Sequence, residues 1–161
     1  MSDDSVIGEG DTLPDFTLTS PDGSTITRND FAGRPTVLFF YPKDDTPGCT
    51  SEAKDFSALK PKFDAAGVAL LGISKDPPER HRNFIAKHAL TVPLATDAEK
   101  DGLSDVLGIW AEKSMYGKTY MGMVRTTYLL DGQGRIARVW RKVKVKNHAA
   151  EVLEAGCNLD S

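Results

Sequence analysis

Short apolar runs alternate along this chain with segments of helical periodicity. Residues 35–41 and 68–73 are almost continuously apolar, which predicts strands that are buried on both faces of a sheet. Residues 92–95 predict a further short strand, and residues 125–130 predict another long one. Residues 135–145 follow across a Gly-rich turn and predict an antiparallel hairpin partner for that long strand.

The segments between these strands predict helices. Phe56, Leu59 and Phe63 recur at helical spacing, so they would share the buried face of one helix. Gly67 is a natural end for that helix, because glycine readily adopts the left-handed conformation that terminates helices. The predicted helices cover residues 46–67, 76–88, 98–107 and 147–156.

A β-hairpin is predicted before this alternation begins, because residues 16–19 and 24–26 flank a turn signal at residues 20–23. Strands that alternate with helices predict an α/β fold with a mixed central sheet flanked by helices. The sheet should be parallel where helices cross over and antiparallel at the terminal hairpins. No linker or repeat divides the chain, and we expect a single domain over residues 1–161.

Composition narrows the class of protein without specifying its chemistry. The chain has 161 residues, 40% of them hydrophobic and 27% charged, which is ordinary for a globular protein. A formal net charge of -3 favours neither nucleic acid nor an anionic membrane as a partner. The acidic start at residues 1–5 is the opposite of a signal peptide, so we expect a cytoplasmic location.

One of the two cysteines lies where a helix is predicted to begin at the carboxyl edge of the sheet. Thr46 is a good N-cap residue, because its hydroxyl can accept a hydrogen bond from a first-turn amide, and Pro47 suits the first helical position. Cys49 then lies in the first turn. The unpaired amides and the positive end of the helix dipole favour a thiolate there. The sequence therefore predicts a nucleophile at Cys49.

The residues around Cys49 resemble a known family. The spacing Pro42-(x3)-Thr46-(x2)-Cys49 resembles the peroxiredoxin signature, and the string at residues 40–50 resembles the bacterioferritin comigratory protein, or PrxQ, subfamily. Residues 117–120 and 124–131 resemble the same subfamily, so the resemblance covers nearly the whole chain from about Gly10. It implies a thioredoxin-like fold and an antioxidant peroxidase. That enzyme would reduce hydrogen peroxide and organic hydroperoxides through a cysteine sulfenic acid, without a metal, flavin or haem.

The resemblance also implies roles for individual side chains. Cys49 matches the peroxidatic cysteine, whose thiolate attacks the terminal peroxide oxygen. Thr46 matches the hydroxyl that bonds both thiolate and peroxide, and Pro42 matches the residue that shields the site from water. Arg125 matches the guanidinium that holds thiolate and peroxide together. Glu52 matches the carboxylate that positions this arginine, although a carboxylate in the first turn also favours the helix dipole by itself.

The chain departs from the subfamily in its recycling cysteine. Many members carry a resolving cysteine five residues after the first, where this chain has Lys54, and others carry one in the helix at residues 77–88, which has none here. Only Cys157 remains, and it is either idle or resolving. We expect single-cysteine turnover, in which an external thiol such as thioredoxin or a small molecule reduces Cys49, and a monomer or weak dimer.

Other features leave alternatives open. A thiol–disulfide oxidoreductase would need a C-x-x-C pair, which this chain lacks, and a redox sensor or chaperone-like module could use the same fold. The histidines lack the spacing of metal ligands, so we expect no metal site. Five basic residues predict either a charged sheet edge or a docking surface for an acidic reductase: Arg138, Arg141, Lys142, Lys144 and Lys146. A group of large side chains predicts either core or an apolar collar: Trp110, Tyr116, Tyr120, Met121 and Met123.

Overall fold

A mixed sheet of seven strands forms the centre of the computed structural model, which describes residues 7–98 and 102–159. The described residues contain nine strands, of which β6 and β7 lie outside this sheet. They are β1 (Thr17–Thr19), β2 (Thr25–Thr27), β3 (Thr36–Phe40), β4 (Ala69–Ser74), β5 (Leu94–Thr96), β6 (Trp110–Met115), β7 (Lys118–Met123), β8 (Thr126–Leu130) and β9 (Ile136–Arg141). The helices of the described residues are α1 (Pro47–Ala65), α2 (Pro78–His88), α3 (Leu103–Val106) and α4 (His148–Cys157).

The strand order in the seven-stranded sheet is β2-β1-β5-β4-β3-β8-β9. Strands β3, β4 and β5 pair in parallel, because α1 and α2 return the chain over one face of the sheet. Strand β8 pairs antiparallel with both β3 and β9, and β1 pairs antiparallel with β2 and β5. The predicted mixed sheet and N-terminal β-hairpin are therefore confirmed.

Strand β3 lies at the middle of the core and is buried along its whole length. Its side chains alternate between two apolar clusters, as the period of two of a strand requires. Val37 and Phe39 belong to the cluster that includes α1, whereas Leu38 and Phe40 belong to the cluster on the other face. The ring of Phe39 stacks on Phe56 of α1 at 4.4 Å between centroids, so this strand docks the helix that begins beside it.

The hairpin of β6 and β7 was not predicted, and it forms a separate two-stranded sheet. Its two-residue turn, Tyr116-Gly117, has positive φ at both positions, as the preferred hairpin turns do. The large side chains of this segment were predicted to be either core or an apolar collar, and they differ in burial. Met123 is fully buried and belongs to the core, whereas Tyr120 and Met121 are about half exposed. The sequence hid these strands because their side chains follow no clear alternation of apolar and polar residues.

Several predicted boundaries shift. Strand β9 ends at Arg141 instead of continuing to residue 145, because Lys142 adopts a left-handed backbone. Arg125 lies just before β8, and its carbonyl accepts a hydrogen bond from the Val143 amide at 3.0 Å. The predicted short helix is observed only at Leu103–Val106, and residues 99–101 of that prediction lie outside the described residues. The last helix includes Cys157.

A close approach at Gly72 of β4 generates a test of this packing. A Cβ at this position would lie 2.6 Å from Phe39 Cζ and 2.8 Å from Leu94 Cδ2, so Gly72→Ala must displace the ring that supports α1. We expect the free energy of unfolding to fall by about 1–3 kcal/mol, the usual cost of an overpacked core.

Urea denaturation followed by circular dichroism measures this loss. The matched control is Gly8→Ala, whose Cβ would make only an ordinary contact of 3.5 Å with Arg141 Nη2. Equal stability of the Gly72→Ala and Gly8→Ala proteins would contradict the account.

Candidate active site

Cys49 is the third residue of α1, and it lies beyond the carboxyl end of β3. Thr46 occupies the N-cap position with extended backbone angles, and Pro47 is the first helical residue, as predicted. The thiol is in the first helical turn, and Cys49 is 2% exposed. The helix start therefore carries a sulfur that is almost completely covered by protein.

The guanidinium of Arg125 contacts two side chains of α1 at the same time. Arg125 Nη2 donates to Cys49 Sγ at 3.2 Å, and Arg125 Nη1 donates to Glu52 Oε1 at 2.6 Å. Cys49 and Glu52 are one turn apart on α1, so one planar fork can reach both. The structure thus brings together three of the five residues that the sequence analysis selected.

Glycine at position 48 leaves room for this contact. A Cβ on Gly48 would lie 3.2 Å from Arg125 Nη2, which is tighter than most real Cβ contacts. The guanidinium can therefore lie over the helix start and next to the sulfur. Burial by itself would lower the pKa of Arg125, but the charges of Glu52 and Cys49 raise it above its ordinary value. Arg125 is therefore a permanent cation beside the thiol, and a neighbouring cation favours the thiolate.

Glu52 is the group whose charge is most sensitive to its surroundings. Burial raises its pKa to about 7, although the charge and the hydrogen bond of Arg125 act in the opposite direction. Its Oε1 receives the guanidinium, whereas the buried Oε2 has no hydrogen-bond partner among the described residues. The negative charge that holds Arg125 therefore develops near neutral pH.

Thr46 and Pro42 lie on the same loop, and neither is seen in a contact with the sulfur. The predicted capping bond of Thr46 is wrong, because its side chain makes no bond to a first-turn amide. Its hydroxyl instead donates to the Lys43 carbonyl at 2.8 Å, which closes the turn before the helix. Pro42 is half-buried in the segment between β3 and α1. Their roles toward peroxide stay predictions.

A buried polar cluster behind this loop was missed by the sequence analysis. Tyr41 Oη donates to Asp44 Oδ1 at 2.5 Å, and His81 Nδ1 lies 2.6 Å from Asp44 Oδ2. All three side chains are at most 1% exposed, and burial together with Asp44 raises the pKa of Tyr41 well above its ordinary value. A signal existed, because His81 shares the inward helix face of Phe84, three residues later. Its partner could not be found, since Asp44 is 37 positions away in the sequence.

The unpredicted hairpin contributes a second cation to this region. Lys113 of β6 donates from Nζ to the carbonyl of Met123, two residues before Arg125. Burial lowers the pKa of Lys113, the charge of Arg125 lowers it further, and Cys49 raises it, so this ammonium lies within electrostatic range of the site.

Cys157 lies at the other end of the sheet. It follows Gly156, which packs against Val68, immediately before β4, and against Leu129 of β8. Leu129 pairs with Val37 near the start of β3, whereas Cys49 lies beyond the end of that strand. Strands rise about 3.3 Å per residue, so the length of β3 alone exceeds the roughly 7 Å that a disulfide allows between Cα atoms. The exposed Cys157 and the buried Cys49 are separate thiols.

Neither a metal cluster nor a membrane span is found in the described parts of the chain. Residues 7–98 and 102–159 contain no group of three or more His, Cys, Asp or Glu side chains that could hold a metal ion. No helix in those ranges has both the length and the apolarity needed to cross a bilayer.

Comparison with known proteins gives one consistent result. Residues 9–139 match the AhpC/TSA family. The chain is 45% identical over 141 residues to Peroxiredoxin Bcp of Xanthomonas campestris, covering 88% of each chain. It is 43% identical over 145 residues to Peroxiredoxin Bcp of Bacillus subtilis, covering 90% of this chain and 92% of the relative.

Solved structures agree with the sequence relatives. Xanthomonas campestris bacterioferritin comigratory protein, solved as a trapped intermediate/ligand complex to study its alkyl peroxide reduction activity, superposes with a TM-score of 0.82 at 41% identity. That match covers 90% of this chain and 96% of the other. The thioredoxin-like arrangement expected from the sequence is therefore confirmed.

The raised pKa of Glu52 generates a prediction on pH and stability. In the folded protein the carboxyl group titrates at about 7, against an ordinary value of 4.5 that applies to the unfolded chain. The folded state therefore binds more protons between these values, and the free energy of unfolding falls as the pH rises through this window. The contribution of this group amounts to about 3 kcal/mol. We expect Glu52→Gln to remove that fall.

Urea denaturation at intervals between pH 4.5 and 8 measures the effect. The quantity of interest is the difference in slope between the wild type and Glu52→Gln, because other titrating groups contribute equally to both. Glu79→Gln, at an exposed position of α2, is the control for loss of a carboxylate. Parallel stability curves for the wild type and Glu52→Gln would show that Glu52 titrates near its ordinary value.

Proposed function

The chain belongs to the AhpC/TSA family and is a peroxiredoxin, a thiol-dependent peroxidase, and we propose that Cys49 is the thiol that reacts with the peroxide. The observation that carries this assignment is the contact of Arg125 with both Cys49 Sγ and Glu52 Oε1. A cation held against a sulfur at a helix start favours the thiolate, which is the nucleophilic form. We also propose that residues 1–161 form a single domain.

The reaction is a displacement on oxygen. The Cys49 thiolate attacks the terminal oxygen of the hydroperoxide, an S–O bond forms and the O–O bond breaks. Sulfur becomes a sulfenic acid, and the alkoxide or hydroxide leaves and takes a proton from water. Negative charge thus moves from sulfur to the departing oxygen while Arg125 stays within hydrogen-bond range of both. A low thiol pKa alone does not give speed, so donors aimed at the oxygens must supply it.

The remaining site residues support this chemistry in different ways. Glu52 holds the guanidinium that it contacts, and it does so best when it is ionised. Thr46 is one turn before the sulfur, and rotation of its hydroxyl away from Lys43 would let it bond thiolate and peroxide. Pro42 shields the site on the loop side. Hydrogen peroxide and organic hydroperoxides are the proposed substrates, and the alkyl peroxide reduction of the Xanthomonas campestris protein supports the second class.

Recycling is proposed to use an external thiol. The resolving positions of the subfamily hold no cysteine here, and Cys157 lies at the opposite end of the sheet from Cys49. The sulfenic acid is therefore attacked by a thiol from solution, with thioredoxin as the proposed physiological donor. Both cysteines are free, which suits the reducing cytoplasm where such donors act. A monomer or weak dimer suffices, because the proposed site uses residues of one chain.

The first test separates the nucleophile from its electrostatic partner. Cys49→Ser should abolish peroxide turnover, because a hydroxyl does not ionise near neutral pH. Arg125→Ala should slow the oxidation of Cys49 by roughly 10²–10³-fold, the loss seen when one transition-state donor is removed. Stopped-flow fluorescence during mixing with hydrogen peroxide measures the step.

Arg138→Ala is the matched control, because this exposed arginine stacks on Trp140 of β9 and makes no contact with the sulfur. We expect its oxidation rate to stay within about twofold of wild type, as for surface substitutions in general. A folded Cys49→Ser protein with substantial peroxidase activity would contradict the assignment, as would equal rates for the two arginine variants.

A second test concerns recycling. Protein treated with equimolar hydrogen peroxide should hold a Cys49 sulfenic acid that dimedone traps, and Cys157→Ser should retain turnover with dithiothreitol or thioredoxin. Mass spectrometry of a non-reduced digest measures both products. A stoichiometric Cys49–Cys157 link, together with loss of turnover in Cys157→Ser, would instead make Cys157 the resolving cysteine.

A further inference from the structure

Two consecutive aspartates tie the loop before Cys49 to helix α2. The loop runs from residue 41 to the N-cap at Thr46, and its two aspartates face opposite environments. Asp44 is fully buried, whereas the side chain of Asp45 is 37% exposed. Both contact residues of α2, at its beginning and at its end.

The inner contact is part of the buried cluster. His81 has an acceptor at each ring nitrogen, because Nδ1 faces the Asp44 carboxylate and Nε2 lies 3.1 Å from the Ala95 carbonyl. Nε2 therefore donates to the Ala95 carbonyl, because a carbonyl oxygen can only accept. The Asp44 amide also donates to Asp76 Oδ2 at 2.8 Å. The loop is thus bound to the sheet edge and to the start of α2 by buried hydrogen bonds.

The outer contact is ionic and lies at the end of α2. Asp45 Oδ2 accepts from Lys87 Nζ at 2.7 Å, and Asp45 Oδ1 lies 2.8 Å from His88 Nε2. The hydrogen bond from Lys87, followed by that from His88, lowers the pKa of Asp45, so this carboxylate is charged at neutral pH. The three residues Asp45, Lys87 and His88 are called the Asp45 clamp below.

The Asp45 clamp bears on how a reducing thiol reaches Cys49. The form of the protein in which the first turn of α1 is intact and Arg125 contacts the sulfur is called the closed form below. A peroxide is small and reacts in this form. A reducing thiol must form an S–S bond with Cys49 while the S–O bond breaks, and the hydroxide leaves as water with the proton of the thiol. Because Cys49 is only 2% exposed, its helical turn must open before that larger group can reach the sulfur. Asp45 is four residues before Cys49, so opening of this turn pulls on the clamp.

We propose that the Asp45 clamp positions the start of α1 in its closed form and sets how readily oxidised Cys49 becomes accessible to the reducing thiol. This rests on the proposed role of Cys49. The clamp acts on the reduction step and leaves the peroxide step unchanged, since it contacts neither Cys49 nor Arg125. Helix α2, which lacks the resolving cysteine of some relatives, is then a positioning element that controls the reductant's access.

The test is Asp45→Asn. Asparagine keeps the shape of the side chain and tolerates the left-handed backbone at this position, where φ is 60°, but it removes the charge. We expect oxidation by hydrogen peroxide to stay within about twofold of wild type. Dimedone labelling of the Cys49 sulfenic acid and amide exchange at residues 48–51 should both accelerate by about two- to fivefold, the size expected for partly exposed ion pairs.

Two further variants isolate the clamp from a general loss of stability. Lys60→Met breaks a comparable exposed pair within α1, Lys60–Asp64 at 2.8 Å, and should change neither labelling nor exchange at residues 48–51. Lys87→Met combined with His88→Gln should accelerate both, and Asp45→Asn should add nothing further in that background.

Unchanged labelling and exchange in Asp45→Asn would overturn the proposal, and so would additive effects in the triple variant. An equal acceleration in Lys60→Met would also overturn it, because the effect would then reflect global stability. Failure of peroxide to oxidise Cys49 in the wild type would contradict the proposed function instead, so the two failures are distinguishable.

Discussion

The guanidinium of Arg125 is the constraint on which the rest of the site depends. Arg125 directly precedes β8, and its side chain contacts the first turns of α1. It must therefore reach the sulfur of Cys49 and the carboxylate of Glu52 at the same time. Burial of these groups is unfavourable unless each is paired, so their relative placement tolerates little error. The core meets this demand locally, because the Phe39–Phe56 stack docks α1 and the glycine at position 48 leaves room for the cation.

The fold was largely predictable because its signals are local. Continuous apolar runs indicated the central strands, and helical spacing indicated α1 and α2, which pack against them. The hairpin of β6 and β7 was not predictable in the same way, since exposed strands need not alternate. The end of β9 depended on a single left-handed residue, Lys142, which carries no compositional mark.

The site residues also differ in whether local sequence or distant partners determine them. Cys49 could be found from sequence because a helix start, a proline and a cysteine are neighbours along the chain. Arg125 was placed through the resemblance, and the structure gave its distance to the sulfur. The Asp44–His81 pair and the raised pKa of Glu52 were out of reach, since both arise from burial and from partners distant in sequence. The capping bond of Thr46 was predicted from its N-cap propensity and is absent, because its hydroxyl donates to the Lys43 carbonyl instead.

The position of Cys157 has a practical consequence for handling this molecule. It is an exposed thiol at the end of the sheet opposite Cys49, at the end of a helix whose inner side is buried. A functionalised electrode that reacts with it would tether every molecule through this end of the sheet, with the Cys49 end directed toward solution. Cys49, covered by protein, is sterically protected from such bulky reagents in the closed form. The chain thus carries its own site-specific attachment point for single-molecule or electrochemical work.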